Sequence, residues 1–243
     1  MEKVEDFVIL AAGQGSKFVR EGEPRPKPMV EINGRPMIGR LISVLMECGA
    51  RRIYVVTNPA MTSLDEELRR LRDPEGIPLV VRPLKSDNSF TSLRTACEGI
   101  PGRFVAMTCD TVFPTPEFRT YLGAVARAPE NAAVMCLTGY VDDESPLYAR
   151  LSDDGTEITD YHYGSTPFEG RAPIVSAGIY ALTPELIAAG MADRYPESLS
   201  DFQRILANRS DVPVLPFMMS KVIDVDCRHD RLEAERFLRI IKS

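Results

Sequence analysis

The chain has 243 residues, of which 44% are hydrophobic and 26% charged, and 29 Lys and Arg against 35 Asp and Glu give a net charge of −6. This balance argues against nucleic-acid binding, which requires a basic face, although a few convergent basic residues would suffice for a small anionic substrate. The chain contains neither a signal-peptide pattern nor an apolar run of about 20 residues, so we expect a cytoplasmic protein without a membrane partner.

Strand-like apolar segments alternate with amphipathic helical segments through the first half of the chain. This alternation predicts an α/β fold with a mostly parallel sheet and helices on both of its faces. The predicted strands are Phe7–Ala11, Arg52–Thr57, Pro78–Arg82, Phe104–Cys109 and Ala133–Thr138. The predicted helices are Met37–Cys48, Leu64–Leu71, Ser89–Gly99 and Pro116–Ala128.

The pattern changes after about residue 140, where short strands precede further helices. The predicted strands are Leu147–Leu151, Glu157–Tyr163 and Val175–Ala181, followed by a strand pair of Val212–Phe217 and Lys221–Val225. The predicted helices are Pro184–Met191, Ser200–Asn208 and Arg231–Ile241. We therefore expect one α/β domain whose second half adds mixed strands around a substrate pocket.

A glycine-rich segment, Leu10-Ala11-Ala12-Gly13-Gln14-Gly15-Ser16-Lys17, directly follows the first predicted strand. Glycines allow the backbone to approach a ligand closely, and successive N–H groups in such a loop can bind phosphate oxygens. The dinucleotide-binding fingerprint fails because no third glycine stands at Phe18 or Val19. A plain turn between strand and helix is the alternative.

Two prolines flank Lys27 in the segment Pro26-Lys27-Pro28. They restrict the backbone and reduce the entropy cost of placing the ammonium group. The alternative is a proline-rich surface loop with a solvated lysine.

Together the two segments resemble the nucleotidyltransferase superfamily, the pyrophosphorylases with a glycosyltransferase-A-like fold. The family pattern is similar to L-A-A-G-x-G-[ST]-[RK]-[FM], then P-K-P-[ML], then [RK]-P-[ML]-[IL], and the chain follows it from Leu10 to Ile38. Lys17 stands where the family usually has Arg. The resemblance implies a three-layer α/β/α fold with a mostly parallel, Rossmann-like central sheet of the nucleotide-diphospho-sugar transferase type.

Three later segments extend the resemblance. Phe104–Asp110 looks like a strand that ends in a metal-binding aspartate, and Ile223–Asp230 looks like a second metal motif. Ser176–Tyr180 resembles the strand that lines the acceptor site, which implies substrate contacts at Gly178 and Tyr180. The implied Mg²⁺ ligands are Asp110 and Asp226, with Asp224 as a helper or replacement. From the residues alone, these acids could also be a turn residue and solvated strand residues.

A narrower likeness occurs at Asn88-Ser89-Phe90-Thr91-Ser92-Leu93, which is similar to the phosphocholine cytidylyltransferase branch. It implies that Asn88 and Ser92 contact the nucleotide. Asn or Ser at this position can equally cap a helix, and both roles can hold together.

The implied reaction transfers a nucleoside monophosphate from an NTP, with CTP or UTP favoured, to a sugar 1-phosphate or a small phosphorylated alcohol. Pyrophosphate is released. Lys27 and Lys17 are the expected catalytic residues, and the nucleotide contacts are assigned to Leu10, Ala11, Ala12, Gly13, Gly15, Ser16, Asn88 and Ser92. We expect a single domain, residues 1–243, in which residues 1–140 bind the nucleotide and residues 141–243 the acceptor.

Other functions and assemblies stay open. They are a phosphocholine-type cytidylyltransferase, a non-catalytic sensor of nucleotide or sugar phosphate, and a glycosyltransferase of similar fold. A homodimer is also left open.

Overall fold

The computed structural model describes residues 3–73, 76–86, 88–143 and 145–241. The helices are α1 (Ser16–Arg20), α2 (Met37–Glu47), α3 (Thr62–Arg72), α4 (Ser89–Ala96), α5 (Thr115–Val125), α6 (Pro184–Ala189), α7 (Leu199–Ala207) and α8 (Arg228–Ile240), with a 3₁₀ helix at Lys27–Met29. The strands are β1 (Asp6–Ala11), β2 (Glu31–Ile32), β3 (Arg35–Pro36), β4 (Arg52–Thr57), β5 (Leu79–Pro83), β6 (Phe104–Thr108), β7 (Thr111–Val112), β8 (Ala133–Thr138), β9 (Leu147–Leu151), β10 (Ile158–Tyr163), β11 (Val175–Leu182), β12 (Val214–Met219) and β13 (Ile223–Asp224). The strands and helices predicted for the first half are confirmed.

Nine of these strands form one mixed sheet. The main path is β10-β9-β11-β6-β1-β4-β5, and β8 and β12 continue the sheet from β11. β1 pairs in parallel with β4 and β6, β4 with β5, and β8 with β12. β11 is antiparallel to β6, β8 and β9, and β10 is antiparallel to β9, so only β10 and β11 run against the common direction. The expected mostly parallel central sheet is therefore confirmed.

Successive residues of β1 point to opposite faces of the sheet and pack in two separate cores. Phe7 and Ile9 pack with apolar residues of α2, α3 and α5. Val8 and Leu10 pack with apolar residues of α4, α6 and α7. A strand buried on both faces is typical of parallel sheets covered by helices. The expected three-layer α/β/α architecture is thus confirmed.

A third, smaller core lies between the two ends of the chain. Phe18 of α1, Val112 of β7, Ile223 of β13 and Leu238 of α8 are all buried in it. Burial of one such side chain stabilises the folded state by about 1.5–3 kcal/mol. This third core therefore holds the glycine-rich loop, the end of β6 and the last strand in fixed relative positions.

The predicted pairing between Val212–Phe217 and Lys221–Val225 is wrong. Both segments contain strands, but β12 pairs in parallel with β8, and β13 pairs antiparallel with β7. Apolar alternation identifies a strand without identifying its partner. The strands that pair with β7 and β8 come from distant parts of the sequence. No described helix is long and apolar enough to cross a membrane.

Candidate active site

Four charged side chains from distant parts of the chain meet where β6 ends. Lys27 begins the 3₁₀ helix, Asp110 follows β6, Asp224 ends β13 and Asp226 precedes α8. The ammonium group of Lys27 forms ion pairs with Asp110 and Asp226, and its Nζ lies 4.0 Å from Oδ1 of Asp224. The structure thus brings the predicted lysine together with the three predicted metal ligands.

Backbone hydrogen bonds hold the carboxylates in place. β13, which ends at Asp224, pairs with β7, and the amide of Val225 donates to the carbonyl oxygen of Asp110 at 3.1 Å. The carboxylate of Asp230, in the first turn of α8, accepts a hydrogen bond from the amide of Asp226 at 2.9 Å. An acidic side chain is favourable at a helix N-terminus, so the start of α8 and the position of Asp226 are set together.

The lysine is buried with its counter-charges. Lys27 is 7% exposed and Asp110 is 8% exposed. Burial by itself lowers the pKa of Lys27, but the three surrounding carboxylates raise that pKa well above its ordinary value. Burial favours the neutral form of Asp110, but the charge of Lys27 outweighs it and lowers the pKa of that carboxyl below its ordinary value. Both groups are therefore charged at neutral pH.

The three carboxylates fit a hard divalent cation. One oxygen from each of Asp110, Asp224 and Asp226 lies within 4.8 Å of the other two. Oδ1 of Asp110 is buried and has no hydrogen-bond partner among the described residues. Desolvation and the charge of Asp110 raise the pKa of Asp224 well above its ordinary value, and the charge of Lys27 offsets this rise only in part. Carboxylate oxygens are the ligands that Mg²⁺ prefers.

The glycine-rich loop lies beside this cluster. Leu10 and Ala11 end β1, Ala12 to Gly15 form the loop, and Ser16 begins α1. The amide of Cys109 donates to the carbonyl oxygen of Leu10 at 3.2 Å, so the ends of β1 and β6 are adjacent. Ligands of open parallel sheets bind beyond the carboxyl ends of the strands, which is where this loop lies.

Lys17 contacts the same carboxylate as Lys27. Its Nζ lies 3.5 Å from Oδ2 of Asp226 and 3.8 Å from Oδ1 of Asp143. Partial burial lowers the pKa of Lys17, but the two carboxylates raise it above its ordinary value. The two predicted lysines are thus linked through Asp226, with Lys17 on the solvent side.

Asn88 caps α4. Its Oδ1 accepts a hydrogen bond from the amide of Thr91 at 2.8 Å, which is the cap considered from the sequence. Ser92, one turn into the helix, is buried. Contact of Asn88 and Ser92 with a nucleotide stays a prediction.

A cleft of about 770 Å³ extends from the carboxylates towards β11 and α7, and both Gly178 and Tyr180 line it. Gly178 has a φ of 70°, and a Cβ placed there would lie 3.0 Å from Oγ1 of Thr108 and 3.2 Å from Oγ1 of Thr111. Glycine is therefore required where β11 passes the two threonine hydroxyl groups. Substrate contact by Gly178 and Tyr180 stays a prediction.

Sequence reasoning missed Gln203 in the cleft wall, and it gave no role of its own to Ser176, the first residue of the segment that resembles the acceptor-site strand. Ser176 Oγ donates to Gln203 Oε1 at 2.8 Å, and Gln203 Nε2 donates to the Tyr180 hydroxyl at 3.5 Å. Burial raises the pKa of Tyr180 in spite of a hydrogen bond with Ser176, and nearby carboxylates, including that of Asp224, raise it further. Gln203 is a polar residue on the apolar face of a predicted helix, and this signal could have identified it.

Comparison with known proteins finds related sequences. Residues 7–161 match the MobA-like NTP transferase domain family. UTP--glucose-1-phosphate uridylyltransferase AglF of Haloferax volcanii is 28% identical over 191 residues, which are 75% of this chain and 73% of that protein. CMP-5'-(3-aminopropyl)phosphonate synthase of Streptomyces rubellomurinus is 28% identical over 215 residues, which are 83% of this chain and 31% of that protein.

Some relatives are much longer than the matched region. The bifunctional protein GlmU of Azorhizobium caulinodans is 26% identical over 178 residues, which are 72% of this chain but 38% of that protein. The chain therefore spans less than half the length of this relative.

Solved structures that share the fold include the following two. The inositol-1-phosphate CTP transferase from T. maritima superposes with a TM-score of 0.80 at 16% identity, over 100% of this chain and 98% of that one. A UDP-glucose pyrophosphorylase complexed with UDP-glucose gives a TM-score of 0.75 at 17% identity, over 98% of this chain and 99% of that one.

Proposed function

This chain belongs to the MobA-like NTP transferase family, and from that premise we propose that it is an Mg²⁺-dependent nucleotidyltransferase acting on a phosphorylated acceptor. The acceptor is a sugar 1-phosphate or a small phosphorylated alcohol, and pyrophosphate is the second product. The observation that carries the proposal is the ion-paired cluster of Lys27 with Asp110 and Asp226 beside the glycine-rich loop.

The reaction joins two anions, so the protein must neutralise charge and align the reactants. An oxygen of the acceptor phosphate attacks the α-phosphorus, a new P–O bond forms, and the bond to the β-phosphate oxygen breaks. The leaving group departs as pyrophosphate. The attacking oxygen is already ionised at neutral pH, so the step needs no general base and no covalent protein intermediate.

Each part of the site has a role in this step. Asp110, Asp224 and Asp226 would hold Mg²⁺, which when bound neutralises phosphate charge. Lys27 carries a buried positive charge that phosphate oxygens can share with the carboxylates. Backbone N–H groups from Gly13 to Ser16, together with Lys17, hold the departing phosphates.

We assign nucleotide binding to residues 1–140 and acceptor binding to residues 141–243. The names of the relatives support a pyrimidine nucleotide, since they include a uridylyltransferase that uses UTP and a synthase whose product carries CMP. CTP or UTP is therefore the proposed donor. The cytoplasmic location and the homodimer stay predictions.

The test is pyrophosphate release with four NTPs crossed with glucose 1-phosphate, inositol 1-phosphate, phosphocholine and 3-aminopropylphosphonate. Each pair is measured with Mg²⁺ and with excess chelator. We expect release that requires one NTP, one acceptor and Mg²⁺ together. Thermal stabilisation by an NTP without release for any pair would contradict the proposal and favour a non-catalytic nucleotide-binding protein.

A further inference from the structure

Three polar side chains form a connected group in the wall of the cleft. Ser176 and Tyr180 lie on β11 at either side of Gly178, and Gln203 projects from α7. All three line the cleft that begins at Asp224. The group is thus placed where the part of an acceptor beyond its phosphate would lie.

Burial of the Gln203 side chain in this position costs folding free energy. It is 2% exposed, yet the hydrogen bonds from its Nε2 to the Tyr180 hydroxyl and to the carbonyl oxygen of Leu199 are both 3.5 Å long. Bonds of this length are at the limit of useful geometry. A buried amide that lacks good partners costs about 1–3 kcal/mol, whereas a leucine would fit the surrounding apolar face at no such cost. A stronger partner for the amide is therefore expected from the cleft.

The bond from Ser176 fixes which partner fits. Because Gln203 Oε1 accepts from Ser176 at 2.8 Å, Nε2 is the end of the amide left for another acceptor. The hydroxyl oxygens of Ser176 and Tyr180 still have lone pairs to offer. A ligand hydroxyl group can accept from the amide and donate to one of these oxygens. An ammonium group cannot accept from the amide, and a trimethylammonium group can do neither.

We propose that Gln203, with Ser176 and Tyr180, recognises a hydroxyl group of the acceptor, which makes the acceptor a phosphorylated polyhydroxy compound. This inference rests on the proposed function, because it concerns the acceptor of that reaction. Sites built to bond a substrate hydroxyl reject analogues lacking it by factors of up to about 10⁴–10⁵, so the group acts as a specificity filter.

The first experiment measures binding alone. Isothermal titration with Mg²⁺ and a non-hydrolysable NTP analogue compares glucose 1-phosphate and inositol 1-phosphate with phosphocholine and 3-aminopropylphosphonate. We expect at least one hydroxylated probe to bind roughly 100-fold more tightly than both amine probes. Tighter binding of an amine probe, or no binding of either hydroxylated probe, overturns the inference.

The second experiment uses Gln203→Leu, which keeps the approximate size of the side chain. We expect its affinity for the hydroxylated probe to fall roughly 100-fold, with the NTP affinity and the melting temperature preserved. Monodeoxy analogues of that probe locate the hydroxyl group, because one of them should bind wild type and Gln203→Leu equally. Unchanged affinity in Gln203→Leu overturns the inference, and Gln203→Met provides the same test if the leucine variant fails to fold.

Asn208→Ala is the matched control. Asn208 is an amide at the end of the same helix, where it donates to Asp160 Oδ1 at 3.2 Å. The Asn208→Ala variant should bind all four probes as wild type does.

The two proposals can fail separately. Binding of a hydroxylated probe without pyrophosphate release would contradict the proposed function and support the hydroxyl subsite. Pyrophosphate release with phosphocholine alone would support the proposed function and contradict the hydroxyl subsite.

Discussion

The backbone of Gly15 packs directly against the side chain of Lys27. A Cβ placed on Gly15 would lie 2.7 Å from the Cβ of Lys27, and Gly15 has a φ of 70°. The clash involves the base of the lysine side chain, which cannot rotate away. The glycine-rich loop therefore positions the lysine, in addition to the phosphate contact proposed for it.

We expect Gly15→Ala to lower kcat by about 100-fold, because a displaced ammonium group loses its charge contacts with the reacting phosphates. The left-handed conformation adds about 1–2 kcal/mol of destabilisation. Gly155→Ala is the control, since Gly155 has a φ of 72° and open space around its Cα. Gly155→Ala should lose the same stability, about 1–2 kcal/mol, from the left-handed conformation, without the clash, and should retain full activity in the pyrophosphate assay. Equal activity in both variants would contradict the positioning role.

Lys27→Met should reduce turnover by about 100-fold or more, because the site loses its buried positive charge. Removing one partner of a buried ion pair costs about 3–5 kcal/mol, so the melting temperature should fall by roughly 6–20 °C without divalent cations. Mg²⁺ should then raise it more in Lys27→Met than in wild type, as measured by thermal shift. Lys85→Met, at an exposed lysine, is the control. An equal Mg²⁺ response in all three proteins would contradict a shared carboxylate site.

Asp110→Asn should abolish turnover and Mg²⁺-dependent stabilisation, because it replaces an acidic ligand with a neutral amide. The fold should persist, since Lys27 keeps its ion pair with Asp226. Circular dichroism checks the fold and pyrophosphate release checks the activity. Asp153→Asn is the matched control, because that side chain is 97% exposed and pairs with Arg171. A near-normal rate in Asp110→Asn would remove Asp110 from the metal site.

The five cysteines should divide into two reactivity classes. Cys97, Cys109 and Cys136 are buried, whereas Cys48 and Cys227 are half-buried. Burial raises the pKa of Cys97 to about 11, and raises those of Cys109 and Cys136 well above the ordinary value. Because only the thiolate reacts, these three thiols should be nearly inert at pH 8, with rates that rise with pH.

Titration with a chromogenic disulfide at pH 8 should therefore modify no more than two thiols in the native protein and all five after denaturation. Cys227 lines the cleft, so an NTP with Mg²⁺ should slow its modification and leave that of Cys48 unchanged. Rapid reaction of all five native thiols would contradict the described packing.

Much of this architecture could be predicted from local sequence. Phe7–Ala11 is apolar on both faces, and this property alone indicates a covered parallel strand. The pairing of β12 and β13 could not be predicted, because a strand pattern does not specify which distant edge it joins.

The candidate site likewise contains residues that sequence motifs predict and residues that they do not. Lys27 and Asp110 stand in motifs with recognisable neighbours, and the structure brings them together as a salt bridge. Gln203 has no such motif, and its importance depends on where β11 places Ser176 and Tyr180. Contacts made only by folding are therefore the part of the site that sequence reasoning missed.

The ion pair between Lys27 and Asp226 closes a loop of the chain, because the two residues are 199 positions apart. Contacts between such distant positions form slowly, since the entropy cost of loop closure precedes any energetic gain. During synthesis, Lys27 and Asp110 leave the ribosome long before Asp226. The candidate site therefore stays incomplete until Asp226 has been synthesised, and chains that end before Asp226 should be unable to act on nucleotides.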